Sequence, residues 1–313
     1  MSNTLIKVTS GLEVVSKQIG IVNKLLQFND PPLIPYRRKS KWGFCNPEKK
    51  IVLECVFDDA NIFSEGLAAV KSNGKWGFIN SDGKMLIQNI YSQVSVFSGG
   101  LAAVILNSRL GYIDSTGKQI IPCRYHGFIW ETSLFSEGLA AVQRDGKFGF
   151  IDKAGNQKIA FLYDDVITGF FNGVAWVETA DDSEGYDSEK FSNSLLDFFI
   201  DATGKKVQIE NTNEYHFREG LRSYALPPNM KSGFVDKKYN VIIPCIFDYA
   251  RNFSQGLAAV QLNGKWGFID KTGKQVIQCV YDSVEDFFHG LALVKYNNRK
   301  GYINKAGQHY WDD

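Results

Sequence analysis

Residues Phe63–Ile87 read FSEGLAAVKSNGKWGFINSDGKMLI, and the pattern returns at Phe253–Ile277 as FSQGLAAVQLNGKWGFIDKTGKQVI. The period of this repeat can be measured on the glycine of the Trp-Gly dipeptide and on the matching glycines of other copies. These are Gly43, Gly77, Gly111, Gly149, Gly233, Gly267 and Gly301. Most neighbours in that series are 34 residues apart, and the wide gap before Gly233 holds one degenerate copy around Phe198–Asp201. A fixed period of this length indicates a tandem repeat protein.

Each copy predicts three short strands. In the copy quoted first they are Leu67–Val70, Trp76–Ile79 and Met85–Ile87. Asn73-Gly74 separates the first two strands, and this dipeptide supplies the two positive φ angles that a type I′ hairpin turn needs. A short polar residue and a glycine bound the second loop, as in Asp270–Gly273. The residues between one copy and the next, such as Tyr281–Val284, are interpreted as a connector.

The aromatic residues of the second strand are predicted to hold the copies together. Strand alternation places Trp76 and Phe78 on one face, and a repeat unit buries such a face against its neighbour. We therefore assign a structural role to the repeat positions Trp42, Trp76, Trp266, Gly77 and Gly267.

These motifs resemble a known family. The SEGLAAV run, the KWGFI strand and the DxxGK turn are similar to the bacterial WG-repeat family, also called KWG repeats, from about Trp42 to Gly307. The resemblance implies a β-rich tandem array for which no molecular function is agreed. The copies at Phe148, Lys300 and Asp197 depart from the family pattern because they lack the tryptophan.

The predicted fold is all-β, with tandem antiparallel three-stranded meander units of about 34 residues. Residues 1–35 are expected to form an atypical N-terminal capping segment, because terminal repeats need a polar outer face. Residues 36–313 are expected to form one WG-type array. An open twisted array is favoured because both chain ends read as complete meanders, and the alternative is a closed β-propeller-like ring.

The amino-acid composition limits the classes of partner that the chain is expected to bind. Lys and Arg number 35 against 34 Asp and Glu, so the net charge of +1 predicts no nucleic-acid partner and no anionic membrane surface. No apolar run is long enough to span a bilayer, and Met1–Gly20 lacks the pattern of a signal peptide. A cytoplasmic protein is the default expectation, and export by a dedicated secretion system stays open.

The residue types that carry chemistry recur once per copy. Four of the five cysteines share one slot after the third strand, which indicates a small buried hydrophobic residue: Cys55, Cys123, Cys245 and Cys279. Four aspartates also share one slot, where turn or capping hydrogen bonds are expected: Asp58, Asp164, Asp248 and Asp282. The four histidines lie in different slots. We therefore predict no catalytic residue, no cofactor and no metal.

One segment breaks the pattern. Residues 178–190 form an acidic insertion where the hairpin turn of the fifth copy is expected. Insertions in repeat proteins map to loops on one face, which is often the binding face. The candidate partner-contact loop contains Asp181, Asp182, Glu184, Tyr186, Asp187 and Glu189. The alternatives are an inert solvated loop and a calcium site, and the spacing of an EF-hand loop is absent.

The sequence thus predicts a non-enzymatic interaction scaffold with a protein partner, and it leaves the oligomeric state open. Two alternatives belong to other classes. The first is a carbohydrate-binding or cell-envelope-binding repeat protein, which would show exposed aromatic residues in a row. The second is an enzyme with a site in the degenerate fifth copy, which would show a deep pocket with clustered polar groups.

Overall fold

A computed structural model describes residues 33–171, 173–180, 195–207, 217–226 and 230–312 of the chain. The predicted capping segment, residues 1–35, lies almost wholly outside these ranges, so that assignment stays a prediction. Within the described residues the chain forms eight small sheets and a single 3-10 turn.

The sheets follow one another along the chain, and the first three hold the following strands. Sheet 1 contains β1 (Ile34–Arg38), β2 (Lys41–Cys45) and β3 (Ile51–Phe57). Sheet 2 contains β4 (Asp59–Ser64), β5 (Leu67–Ser72), β6 (Lys75–Ile79) and β7 (Met85–Tyr91). Sheet 3 contains β8 (Gln93–Val94), β9 (Ala102–Leu106), β10 (Arg109–Ile113) and β11 (Gln119–His126).

A 3-10 turn at Glu131–Ser133 precedes the next three sheets. Sheet 4 contains β12 (Leu139–Arg144), β13 (Lys147–Asp152) and β14 (Gln157–Tyr163). Sheet 5 contains β15 (Asp165–Val166), β16 (Val174–Ala180), β17 (Leu195–Asp201) and β18 (Lys206–Val207). Sheet 6 contains β19 (Leu221–Leu226), β20 (Lys231–Asp236) and β21 (Val241–Phe247).

Two sheets and one terminal strand complete the fold. Sheet 7 contains β22 (Tyr249–Ser254), β23 (Leu257–Leu262), β24 (Lys265–Ile269) and β25 (Gln275–Tyr281). Sheet 8 contains β26 (Ser283–Val284), β27 (Leu291–Tyr296) and β28 (Arg299–Asn304). The last strand is β29 (Trp311–Asp312).

The tandem antiparallel meander is confirmed, and five of the eight described sheets contain a strand that the sequence does not predict. The hairpin turn has the expected positive φ angles, 51° at Asn73 and 76° at Gly74. In sheets 2, 3, 5, 7 and 8 the predicted connector forms an additional strand that pairs with the GLAAV-type strand. The interpretation of Tyr281–Val284 as a connector alone was therefore wrong, because Ser283–Val284 is β26.

The glycine of the Trp-Gly dipeptide allows the last strand of the unit to cross close to its neighbour. In sheet 7 the register between β24 and β25 shifts on both sides of Phe268. A Cβ on Gly267 would lie 2.5 Å from the carbonyl oxygen of Ile277, and one on Gly77 would lie 2.4 Å from that of Ile87. Such contacts are too short for any side chain, so this glycine is required by the bulge rather than by a positive φ angle.

The degenerate unit has a side chain at the position of that glycine. Phe198 pairs with Val177 in sheet 5 as Gly267 pairs with Val260 in sheet 7.

Pairs of aromatic rings join consecutive sheets. The phenylalanine or tyrosine two residues after the Trp position packs on the phenylalanine that begins the next unit, with ring centroids 4.7–5.0 Å apart. The pairs are Phe44–Phe63, Phe78–Phe97, Tyr112–Phe135, Phe150–Phe170, Phe234–Phe253 and Phe268–Phe287. Each pair adds about 0.5–1.5 kcal/mol to the stabilisation from burial. The predicted role of aromatic residues between units is therefore confirmed.

The two edges of each sheet differ in exposure. Alternate side chains of the last strand of the unit face solvent although they are apolar, including Val52, Val56, Leu86, Ile90, Ile242, Ile246, Val276 and Val280. This strand is therefore the outer edge. The GLAAV-type strands are buried, as Leu67–Val70 shows, and the connector strand lies at the opposite, inner edge.

The chain ends meet. Strand β29 pairs in parallel with β1 at the inner edge of sheet 1. The Tyr36 hydroxyl donates to Asp312 Oδ1 at 2.5 Å, and the Trp42 ring lies 5.9 Å from that of Tyr302 in sheet 8. The expectation that the two ends exchange nothing was wrong. The C-terminal strand takes the place that a connector strand takes in sheet 2, so the array closes on itself as the ring alternative requires.

Substitution of Gly267 by alanine is expected to destabilise the protein by about 1–3 kcal/mol, because the new methyl group meets the Ile277 carbonyl oxygen. Gly169→Ala is the control, since a Cβ there would meet only the Ser136 Cβ at 3.9 Å. Urea unfolding of the two variants measures the difference. Equal stability of both variants would contradict the close crossing.

Truncation of Trp42 to alanine is expected to cost about 3–5 kcal/mol, because its ring is buried between the first and last sheets. Trp76→Ala is expected to cost less, since that ring is only half-buried. Denaturant unfolding checks the order of the two losses. A smaller loss for Trp42 than for Trp76 would show that the contact between the chain ends contributes little.

Candidate functional site

The predicted partner-contact loop lies outside the described part of the chain. Its residues are Asp181, Asp182, Glu184, Tyr186, Asp187 and Glu189. That assignment stays a prediction. Of the positions predicted to be structural, Trp42, Gly77 and Gly267 are buried. Trp76 and Trp266 are half-buried against clusters that span two sheets.

The recurring aspartates hold neighbouring units together. The lysine before the Trp position pairs with the aspartate that follows the last strand, with Nζ–Oδ1 distances of 2.6–2.7 Å in three of the four pairs. The pairs are Lys41–Asp58, Lys147–Asp164, Lys231–Asp248 and Lys265–Asp282. The second oxygen of Asp248 accepts the backbone N–H of Gly264 at 3.1 Å. The predicted turn and capping role is confirmed.

The cysteines are poor candidates for reactive thiols. Four of them are half-buried and Cys45 is buried, and all five are free. Burial raises the pKa of the Cys55, Cys123 and Cys279 thiols, which disfavours the nucleophilic thiolate. Among the described residues no group of three or more His, Cys, Asp or Glu side chains could hold a metal ion.

A pocket of about 640 Å³ lies where three consecutive sheets present their inner edges. We call it the inner-edge pocket. Sheet 4 and the turn before it contribute Trp130, Thr132, Leu134, Phe135, Ser136 and Phe148. Sheet 5 contributes the run from Asp165 to Phe171, and Arg218 comes from the segment before β19 of sheet 6.

An insertion opens this pocket. Nine residues lie between Tyr125 and Phe135, whereas five lie between Tyr91 and Phe97 in the preceding unit. The longer connector forms the 3-10 turn instead of an inner strand, so sheet 4 has three strands. The turn is held firmly, because the buried Ser133 accepts the Tyr112 hydroxyl at its carbonyl oxygen, 2.7 Å away.

The insertion also lines up aromatic rings. Centroids of consecutive rings lie 5.5 Å apart from His126 to Phe128, from Phe128 to Trp130 and from Trp130 to Phe148. Phe128 is 51% exposed and Trp130 is 39% exposed. Exposed rings of this kind are enriched where proteins bind partners. The row ends in the inner-edge pocket, because Trp130 and Phe148 line it.

The opposite wall departs from the repeat at one position. The serine of the FSxG motif normally donates its hydroxyl to the carbonyl of the next unit's phenylalanine, as Ser64 does to Phe97 at 2.7 Å and Ser254 to Phe287 at 2.9 Å. Phe171 and Arg218 occupy this serine position in two successive units. They pack on each other, with the guanidinium carbon 4.0 Å from the ring centroid.

Arg218 carries an unsatisfied donor. Its Nη1 atom is buried and, within the described structure, has no hydrogen-bond partner. The guanidinium keeps its charge in any protein environment. Asp165 also lines the pocket, and its Oδ1 atom accepts the Val166 backbone N–H at 2.7 Å. The pocket thus combines an apolar aromatic wall with one half-buried arginine and one exposed carboxylate.

Two of the hydroxyl groups that line the pocket, those of Ser136 and Thr168, are hydrogen-bonded to the backbone. Asp165 and Arg218 are the ionisable side chains among the described residues that line the pocket. The Ser136 hydroxyl donates to the Phe170 carbonyl oxygen at 2.6 Å, and the Thr168 hydroxyl accepts the Trp176 N–H. The hydroxyls therefore position the backbone, and neither is hydrogen-bonded to a general base as an activated nucleophile would be.

Ionisable groups also converge beside the ring closure. Burial raises the pKa of Asp59 and of Glu285, and the charge of Lys300 partly offsets this in both cases. Their two carboxyls raise the pKa of the buried Tyr302 hydroxyl further. Asp59 lies in sheet 2, whereas Lys300 and Tyr302 lie in sheet 8.

The sequence reasoning missed the inner-edge pocket although its signals were present. The four extra residues near Trp130 were visible, and so was the replacement of the FSxG serine by Phe171 and Arg218. The sequence alone does not show that this serine lies next to the following unit. A replacement of the serine therefore changes the contact between two sheets rather than an isolated turn.

The comparisons with known proteins agree with this architecture. The family profile described as "WG containing repeat" matches residues 42–76, 76–109, 111–148, 148–181, 233–266 and 266–299. The matches together cover more than half of the chain. A search of curated proteins found no significant match.

One of the similar solved structures shares the fold at low sequence identity. A crystal structure described as that of "the eukaryotic initiation factor" has a TM-score of 0.54 and 12% identity, covering 90% of this chain and 95% of that one. Hsv2p from Kluyveromyces lactis has a TM-score of 0.42 and 9% identity, with 81% and 95% covered. Apo AztD from Citrobacter koseri has a TM-score of 0.40 and 14% identity, with 77% and 79% covered. The first structure resembles this chain in fold alone. The TM-scores of the other two are too low to indicate a shared fold.

The described residues contain no helix of the length and apolarity needed to cross a membrane.

The turns that follow the Trp-Gly strand carry titratable groups. In Asp114, Asp152, Asp201, Asp236 and Asp270, one carboxylate oxygen accepts backbone N–H groups two and four residues ahead. Hydrogen bonds from Thr or Asn side chains, and then from the backbone, lower the pKa of all five. Asn80 makes the same turn with its amide oxygen.

A lower pKa in the folded state means that these carboxylates stabilise the fold above their unfolded pKa, which is about 4. This contribution is lost as the pH falls through the folded values. We expect the melting temperature to drop between about pH 5 and pH 3. A variant with all five aspartates replaced by asparagine should show a smaller drop, and Asp145→Asn at an exposed hairpin is the control. An unchanged drop in the fivefold variant would contradict this assignment.

Proposed function

Because the chain belongs to the family of WG-containing repeats, we propose that it is a non-enzymatic interaction scaffold that holds a protein partner. Repeat proteins build extended surfaces whose regular positions maintain the fold and whose irregular positions bind. The repeat family and the β-repeat architecture support a scaffold. The proposal adds a protein partner and a place for it.

The single observation that carries this place is the run of irregularities at the inner-edge pocket. The regular seams are closed by a phenylalanine pair and a serine hydroxyl, as at Ser64 and Phe97. Around the pocket the connector is longer, and Phe171 and Arg218 replace successive serines. These changes leave Phe128, Trp130 and Phe171 between 37% and 51% exposed. Aromatic and arginine side chains of this kind dominate the energetics of protein interfaces.

The charge of the chain supports a protein rather than a nucleic acid as the partner. The net charge is +1, and the pocket combines one arginine with one aspartate instead of a basic patch. A volume of about 640 Å³ suits a few side chains of a peptide segment. The acidic loop at Asp181–Glu189 remains a second candidate contact region, as proposed from the sequence.

A carbohydrate is the second candidate ligand, and the aromatic row favours it. Phe128 and Trp130 are neighbouring, partly exposed rings, as the sequence-based alternative requires. The buried and unpaired Nη1 of Arg218 favours a charged group instead. For this reason a protein segment is our first proposal.

Selection of a displayed random peptide library on the purified chain is expected to enrich peptides that bind the inner-edge pocket. Phe171→Ser should weaken their binding about tenfold or more, because it removes an aromatic anchor. Phe288→Ser is a matched control, since Phe288 holds the same repeat position in sheet 8 and is 46% exposed. Isothermal titration calorimetry measures both affinities.

Equal loss of affinity in both variants would show that binding occurs elsewhere on the chain. Soluble glycans tested on the same proteins separate the two ligand classes. Quenching of tryptophan fluorescence that disappears in Trp130→Ala, without any enriched peptide, would replace the protein partner by a carbohydrate.

A further inference from the structure

Within the described structure, the inner-edge pocket lacks a hydrogen-bond acceptor for one buried donor atom of Arg218. Nη1 is buried without a hydrogen-bond partner in the described structure, and the guanidinium lies against the Phe171 ring rather than against a carboxylate. A buried donor on a charged group that lacks a hydrogen-bond partner is destabilising. A ligand acceptor that reaches this atom would remove that destabilisation on binding.

Two other described arginines that stack on rings also have an acidic partner, whereas Arg124, which lies 5.2 Å over Tyr125, donates to the Tyr125 hydroxyl instead. Arg144 lies 4.1 Å over Phe161 and pairs with Asp145 at 3.8 Å. Arg251 lies 5.0 Å over Trp266 and pairs with Asp286 at 3.8 Å. Stacking on a ring is therefore compatible with an ion pair in this fold. Arg218 makes the same stacking contact with its Nη1 left unpaired.

The charge and polarity of the pocket favour one kind of hydrogen-bond acceptor in the ligand. A carboxylate forms short, charge-assisted hydrogen bonds with a guanidinium. A phosphate carries up to two negative charges, and removing it from water into a mainly apolar site costs more. The Asp165 carboxylate lines the same pocket and opposes a second negative charge. A single carboxylate therefore fits better than a phosphate.

The side chains that line the pocket determine which ligand groups can lie next to the carboxylate. Trp130 and Phe171 are partly exposed rings, and Phe148 and Phe170 are buried behind them. Rings of this kind pack against aromatic or large aliphatic side chains. The acceptor should thus be next to such a side chain in the ligand.

We infer that the inner-edge pocket binds a peptide segment in which a carboxylate, held by Arg218, adjoins an aromatic or large aliphatic side chain that packs on Trp130 and Phe171. This inference rests on the proposed function and adds the chemistry of the partner. The carboxylate comes either from an acidic side chain or from the end of the peptide chain, and the experiment distinguishes these sources.

The test uses short dye-labelled peptides and the full chain, with affinity measured by fluorescence anisotropy. One peptide carries Trp-Glu within a neutral, amidated sequence, and a second carries Trp-Gln at the same place. A third ends in tryptophan with a free carboxylate, and a fourth has phosphoserine in place of glutamate. The Trp-Glu or the free-carboxylate peptide should bind about 10-fold to 100-fold more tightly than the Trp-Gln peptide.

Arg218→Gln should abolish this preference for a carboxylate, whereas Arg144→Gln, the matched stacked arginine, should retain it. Arg218→Ser restores the residue of the regular units, where the serine hydroxyl bonds the next unit as Ser254 does. It therefore provides a second variant that suits the fold if the glutamine variant is unstable. Thermal unfolding of each variant verifies that it is folded.

Binding of the Trp-Glu peptide alone would assign a side-chain carboxylate, and binding of the free-carboxylate peptide alone would assign a chain terminus. Equal affinity for Trp-Glu and Trp-Gln, or a preference that survives both Arg218 substitutions, would overturn the inference. Tighter binding of the phosphoserine peptide would overturn the choice of a single carboxylate. Library peptides that still depend on Phe171 would then leave the proposed scaffold function intact, and their absence would remove that function too.

Discussion

The contact between the aromatic ring two residues after the Trp position and the first phenylalanine of the next unit is the interaction on which this structure depends. It recurs at six seams with nearly constant geometry, with centroids 4.7–5.0 Å apart. The ring can reach across because the opposite strand offers alanine, as Ala69 does to Phe78. The preceding glycine lets the outer strand close over the same place. Ring, alanine and glycine therefore act as one packing unit, which explains why they occur together in the motif.

Repetition of this seam frees other positions for binding. Polar residues of the FSxG motif add bonds between units, since Glu65 accepts the backbone N–H groups of Gly99 and Gly100. With most seams held in this way, and with the chain ends joined through Trp42 and Tyr302, one seam can depart from the pattern. The departure at Trp130, Phe171 and Arg218 exposes rings and leaves a charged donor without a partner. The proposed binding site of this chain therefore lies where the repeat is irregular.

Much of the fold could be predicted because its causes are local. Asn73-Gly74 specifies its hairpin turn through two positive φ angles, and the turn aspartates bond their own backbone within four residues. The inner strands were harder to predict, since Ser283–Val284 is two residues long and carries no strand pattern of its own. The inner-edge pocket could be predicted only in part. Its irregular residues were visible in the sequence, but their meeting depends on three sheets that lie side by side.

The sequence by itself determined the repeat, its three main strands, their turns and the aromatic packing between neighbours, because each follows from residues within about one period. Tertiary structure alone decided the closure of the array and the composition of the pocket. The pairing of Arg37 with Trp311 joins residues from opposite ends of the chain, and the contact of Arg218 with Phe171 spans two units. Neither contact has a local signature. Both depend on how whole sheets pack against one another, which no stretch of residues within a single period specifies.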